Sequence, residues 1–197
     1  MQQSHQRRDL RRDLITAMLQ ALRSHPANEV SIADLARRLG VSAGAPYRHF
    51  RDRPELLDAI ATQGFDQLRL SMSRAMAKHA SGSIDRIVAC GMGYIEFSAD
   101  NPHLFSVMWA LKERQVSSGT ARSAGERTYM SFLSNLANTM VQQGWDDADP
   151  MDVGAPIWAM VHGYASLVVA ENRMLDPRSE VLKRQVHAVT QAYLSRQ

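Results

Sequence analysis

Tyr47, Arg48 and His49 place a phenol, a guanidinium and an imidazole side by side on one short segment. All three can donate hydrogen bonds and the guanidinium carries a fixed charge, so the set suits phosphate oxygens and, for Arg48, a guanine edge. Just ahead of them, Ser42, Ala43 and Gly44 are small enough for the backbone to approach a groove wall closely. Such chemistry needs a helix end aimed into a duplex groove and a second element to brace it.

The flanking residues supply both. Apolar residues at Ile32, Leu35, Ala36 and Leu39 follow the spacing of a helix with one buried face. Ser31 is its expected N-cap, with Asp34 completing a weak capping box. Gly40 stands where the chain must reverse, because glycine accepts the left-handed conformation that ends a helix. Ser42 then opens a second helix, anchored by the apolar Phe50. A short helix bracing another whose N-terminal part reaches base edges is a helix-turn-helix. A helical hairpin with a solvated basic face would share the pattern, and these residues alone leave that reading open. Upstream, Leu10, Leu14, Met18 and Leu22 share one face and mark the bracing first helix. The doubled Arg-Arg-Asp-Leu at 7–10 and 11–14 is superficially like an export signal, but the stretch after it is amphipathic, contains Gln20 and runs into Arg23.

The segment Val30 to Phe50, continued by Arg51, Asp52, Arg53, Pro54, Glu55, Leu56 and Leu57, resembles the DNA-binding domain of the tetracycline-repressor (TetR) family. The resemblance covers roughly the first sixty residues and rests on Val41-Ser42, on Tyr-Arg-His-Phe at 47–50 and on Leu56-Leu57. It implies that Ser31, Ser42, Ala43, Gly44, Tyr47, Arg48, His49 and Arg53 form the surface for double-stranded DNA, with Arg53 matching the family's phosphate-gripping basic residue. Pro46 departs from the pattern, standing where leucine or another helix former is usual. It lacks an N–H for the helical ladder, so the local pitch should shift and the bases read are left open.

Composition agrees with a small DNA-reading head on a larger body. The chain has 197 residues, 45% of them hydrophobic, enough for two cores. Residues 1–53 carry ten arginines against five acidic residues, a balance of +5; the remainder carries −2, giving the overall +3. A basic head would dock on phosphate while the body would not. The single cysteine, Cys90, excludes an internal disulfide framework and sits in an apolar helical stretch, consistent with an inert thiol in a reducing cytoplasm. No run of about eighteen apolar residues exists, so no membrane-spanning helix is expected. Signatures of zinc peptidases, serine hydrolases and phosphate-binding loops are missing, so no enzymatic activity, cofactor or metal is expected. A composite site from Glu96, His103 and His162 is the remaining, disfavoured alternative.

Beyond the motif the sequence predicts an all-α fold of about nine helices, since no period-two alternation is sustained. Domains are expected at 1–53 and 54–197. Asp52 and Glu55 should cap a long helix to about His79, on the order of 40 Å in length and able to link the two domains. Ile84, Ile87, Val88, Met92 and Ile95 mark the next helix. Asn101-Pro102, Asp149-Pro150 and Asp176-Pro177 each combine an N-cap with proline at the first helical position and should open three more. A polar loop is expected from Lys112 to Gly125, and a helix from about Arg127 to Gln143 stopped by Gly144.

Ala155, Ala159, Gly163, Ser166 and Ala170 form a stripe of small residues that lets another helix come close. With the apolar Leu182, Val186, Val189 and Tyr193 of the last helix they form a candidate homodimer interface, two helices per protomer making a four-helix bundle. Trp158, His162 and Gly163 resemble the Trp-His-Gly signature of one C-terminal subgroup of the TetR family. Trp158 and His162, with Met92, Phe97, Met108, Trp109, Met130 and Phe132, are candidates for a pocket taking a small apolar or amphipathic effector. The competing reading is that these residues are simply core. The sequence thus points to a dimeric, cytoplasmic transcriptional regulator, a repressor released from a palindromic operator by a small molecule. The alternative is an architectural DNA-binding protein whose C-terminal domain only dimerises.

Overall fold

The computed structural model describes residues 9–113, 119–145, 147–170 and 175–194. Among these residues the fold is all-α, with eight α-helices, two single 3₁₀ turns and no strand. The chain divides into two compact units. One holds the residues up to Gly64 together with Asn101–Ser123, and the other holds Phe65–Asp100 with the chain from Ala124 onward. We call them the head and the body; the head thus takes in more chain than residues 1–53.

In the head, α1 (Leu10–Ala21) begins where the Asp9 carboxylate accepts the Arg12 N–H at 3.3 Å, and it buries Leu14 and Met18. Next come a 3₁₀ turn (Ala27–Glu29) and α2 (Ile32–Arg38), whose inward face is Ile32, Leu35 and Ala36. Ser31 caps α2 by accepting the Ala33 N–H at 3.2 Å, while Asp34 pairs with Arg37 instead of reaching back. Helix α3 (Arg53–Met76) starts with a reciprocal cap: Asp52 accepts the Glu55 N–H at 2.9 Å and Glu55 accepts the Arg51 N–H at 2.8 Å. That backbone bond, seconded by the Arg51 side chain, holds the Glu55 carboxyl below its ordinary range. At 24 residues α3 spans about 36 Å, close to the expected length, and its first turns belong to the head and its last to the body.

The centre of the body is α4 (Ile84–Asp100), buried on nearly every side between Ile87 and Ser98. Two glycines make that possible. A Cβ on Gly93 would lie 3.0 Å from Ala75 Cβ and 3.2 Å from the Ser71 carbonyl oxygen, so α3 and α4 touch backbone to backbone there. The Ser71 hydroxyl donates to the Gly93 carbonyl across the contact at 3.0 Å. A Cβ on Gly91 would meet Val161 at 2.9 Å. Arg86 closes the C-terminus of α3 by donating to the carbonyls of Met76 and His79, as suits a cation at the negative helix end.

Helix α5 (Pro102–Glu113) opens at Asn101-Pro102 and α7 (Pro150–Val169) at Asp149-Pro150, where Asp149 accepts the Met151 N–H at 2.8 Å. The third Asx-Pro pair behaves differently. Asp176 accepts the Arg178 N–H in a turn, and α8 (Glu180–Leu194) begins four residues after Asp176 under a Ser179 cap. Helix α6 (Thr120–Gln142) starts earlier than the polar sequence implied, so the Lys112–Gly125 loop is largely helical at both ends; its centre, 114–118, lies outside the described residues. Gly144, at φ 75°, ends the helical turn, with the Trp145 N–H reaching the Met140 carbonyl. No described helix is long and apolar enough to cross a membrane.

Candidate nucleic-acid interface

Helix α2 ends in two nested bonds around Gly40, whose φ is 70°. The Val41 N–H reaches the Ala36 carbonyl and the Gly40 N–H the Arg37 carbonyl, satisfying carbonyls that a helix end leaves open. This reversal sets the start of the segment that carries the donors.

That segment is not the regular second helix expected from Ser42. Its bonds run from the Ala45 N–H to Ser42, from Arg48 to Ala45 and from His49 to Pro46, three residues apart each time, until the Phe50 N–H reaches the Pro46 carbonyl four residues back; only Pro46–Arg48 forms a 3₁₀ turn. Pro46 is the physical reason. It has no N–H to return to the Ser42 carbonyl, so Ala45 takes that acceptor and the winding tightens.

The tight turn still sorts the side chains. Pro46 and Phe50 are buried, whereas Ser42, Ala43, Gly44, Tyr47, Arg48 and His49 are exposed. Tyr47 is 56% exposed, a large aromatic left facing outward. Nothing lies within 4 Å of where a Gly44 Cβ would stand, so the backbone there is open to approach. Phe50 is held from the other side by Arg11, whose guanidinium carbon lies 5.1 Å from the ring centroid. Arg37 spends its charge on Asp34, but among the described residues Arg12, Arg38 and Arg48 have no carboxylate partner. Ser31, also exposed, uses its hydroxyl as the α2 cap.

Arg53 departs from its expected role. Its guanidinium donates to the Val30 carbonyl at 2.8 Å and to the Ala27 carbonyl, and the side chain is half-buried. It therefore clamps the turn that leads into α2 onto the start of α3. A fork of fixed N–H groups can serve two carbonyls at once, and those donors are then not available to phosphate.

The body gathers some of the expected effector residues and scatters the rest. The Trp158 ring meets Tyr94, Tyr129 and Phe132 at centroid distances of 5.2, 5.0 and 5.5 Å, the first two edge to face. The Tyr94 hydroxyl is 2.9 Å from His162 Nδ1. Beside this cluster is a cavity of about 10 Å³ lined by Cys90, Tyr94, Phe132 and Trp158 among others, room for one water at most. Met92 and Phe97 are buried but do not line it. Met130 is 59% exposed, since two helical positions before the inward Phe132 lie about 200° round the helix. Met108 and Trp109 belong to the head, where Met108 packs over Gly64. Tyr94 and Tyr129 were missed; Tyr94 follows Ile87 and Gly91 at helical spacing, which was the available signal.

Of the interface candidates, Ala155, Ala159, Gly163, Ser166 and Ala170 are all exposed, as is Tyr193, and Val189 is half-buried. Leu182 and Val186 are corrected: both are buried in this chain's own core, with Val186 packed toward Gly91 of α4. Leu182, Val186, Thr190 and Leu194 are the inward face of α8, leaving Val181 and Tyr193 outward at 54% and 43% exposure. Among the described residues no cluster of three His, Cys, Asp or Glu side chains could hold a metal ion. His103 belongs to the head, and Glu96 and His162 to the body.

Comparison with known proteins matches both parts of the chain. Residues 14–60 match the family described as bacterial regulatory proteins, tetR family, and residues 87–189 match the tetracyclin repressor-like C-terminal domain. A solved structure of a protein of unknown function from Rhodococcus sp. RHA1 is 28% identical with a TM-score of 0.81, covering 98% of this chain and 97% of its own. A TetR-family transcriptional regulator, PfmR from Thermus thermophilus, is 19% identical with a TM-score of 0.61, covering 91% and 96%. At that identity the second likeness speaks to the fold alone.

Proposed function

This chain belongs to the tetR family of bacterial regulatory proteins, and from that premise we infer that it is a homodimeric repressor that leaves a palindromic operator when a small molecule binds. The carrying observation is the exposed row Tyr47, Arg48 and His49, set after a glycine-ended helix, in which Arg48 has no carboxylate partner among the described residues. Tyr47 and His49 would position the head on phosphate, and Arg48 would bind phosphate or a guanine edge. In this role it would act in the cytoplasm and carry out no enzymatic step.

Two heads must meet half-sites about 34–36 Å apart, which requires a dimer. Its interface would be the small-residue stripe of α7 with Val181 and Tyr193 of α8, exposed in the single chain, and the half-buried Val189 between them. Helix α3 is continuous from Arg53 to Met76, so a rearrangement of the body can be carried to the head without crossing a loop. An effector in the body would have to part the packed Trp158 cluster, and so would select a less populated, opened arrangement.

The test is titration of the purified full chain against palindromic fragments from the DNA flanking its own gene and against random duplex. A repressor should prefer one fragment by about a thousandfold or more. Near-equal affinity for all duplexes would instead identify an architectural protein.

A further inference from the structure

The head contains a cavity of about 350 Å³, within the size range of small-molecule sites. One wall is the turn before α2 with Asn28, the second is the first turns of α3 with Arg53 and Leu57, and the third is α5 with His103, Val107 and Ala110. Its lining is mostly apolar, and no acidic residue contributes to it. Among the described residues nothing hydrogen-bonds to the side chains of Asn28 or His103. Arg53 gives one N–H to each of two carbonyls and keeps others in reserve, since a guanidinium carries five.

An apolar cleft whose polar side chains are a guanidinium, an imidazole, a carboxamide and the Ser106 hydroxyl, which already donates to the Pro102 carbonyl, with no carboxylate, is matched to an anion bearing an apolar body. A planar carboxylate is the group that a guanidinium fork binds in two places at once. We propose that this head cavity is a regulatory site for a small monocarboxylate whose apolar part is one or two rings in size. Its carboxylate binds Arg53 with help from His103 and Asn28, and its apolar part rests on Leu57, Val107 and Ala110. Binding through the remaining N–H groups turns the guanidinium toward the ligand and weakens its bonds to the Ala27 and Val30 carbonyls. The chain between those carbonyls leads directly into Ser31 and α2, so the brace of the DNA-contacting segment loosens. The regulatory part rests on reading the chain as a ligand-released DNA-binding protein; the binding site itself does not.

The experiment measures calorimetric binding of cinnamate, and of its neutral analogue cinnamamide, to the full chain without DNA, followed by DNA titration with and without cinnamate. Cinnamate should bind about tenfold or more tightly than cinnamamide, the worth of a charge-assisted pair. Ala110→Trp, which fills the chamber from a solvent-exposed position on α5, should abolish cinnamate binding while DNA affinity stays unchanged. His103→Ala should weaken cinnamate several-fold, and this holds the test open should the tryptophan variant not fold. Equal binding of both probes, no binding at all, or binding indifferent to both substitutions would overturn the site. Cinnamate that binds but leaves operator affinity unaltered would overturn its regulatory role. A chain that binds cinnamate yet never binds DNA would sink the regulator reading and leave the site standing.

Discussion

Replacing Arg53 by alanine separates a structural clamp from a phosphate grip, because the two roles fail in different observables. The guanidinium holds two backbone carbonyls, Val30 at 2.8 Å and Ala27. Hydrogen bonds to a charged group contribute about 1.5–3 kcal/mol each, but this side chain is half-buried and water can replace part of the pair, so the expected loss is about 2–3 kcal/mol. For a chain of this size, that lowers the melting temperature by about 4–12 °C. Arg53→Lys should lose part of the same stability, since one ammonium on a flexible stem cannot span both carbonyls. DNA affinity of the alanine variant should weaken because the brace loosens, while the slope of log affinity against log salt stays the same. A phosphate grip predicts the reverse: an unchanged melting temperature, a slope smaller by about 0.9 per lost contact, and near-complete rescue by lysine. Thermal unfolding followed by circular dichroism and fluorescence anisotropy across a salt series would decide. Unaltered stability together with a flattened slope would refute the clamp.

Three other outcomes are expected. A Cβ at Gly163 would meet nothing within 4 Å inside the chain and the position is exposed, so the Gly163→Leu protomer should fold as before or gain up to about 1 kcal/mol of helix propensity, yet sediment as a monomer; an intact dimer would remove α7 from the interface. Gly93→Ala forces a methyl group against Ala75 and the Ser71 carbonyl and should cost about 1–3 kcal/mol, read as a lower denaturant midpoint with an unchanged slope. Burial pushes the Cys90 thiol from its ordinary 9.0 up to about 12, so it should resist a thiol-specific colour reagent at pH 8 until the protein is unfolded. The unfolded chain gives up that proton near pH 9 while the folded one keeps it. Stability should therefore decline as pH rises from about 9 toward 12, and Cys90→Ala should remove that part of the decline.

The sequence by itself determined the features whose causes lie within a helical turn. The Ser31 and Asp52 caps, the reversal at Gly40, the inward faces of α1 and α2 and the openings at Pro102 and Pro150 follow from spacings of a few residues. Their polar side chains marked Tyr47, Arg48 and His49 as an outward set, but the turn around Pro46 is what exposes all three. The winding around Pro46 was half legible, because proline announces a missing donor but not which acceptor its neighbour will take. Tertiary structure alone decided the rest. Arg53 found its carbonyls 23 and 26 residues away, α5 joined the head rather than the body, and α8 turned Leu182 and Val186 toward α4 while Val181 and Tyr193 faced out. An apolar stripe states that a helix face will be covered. Whether its own chain or a second copy covers it depends on which surface packs more closely, and that is settled only where distant segments meet.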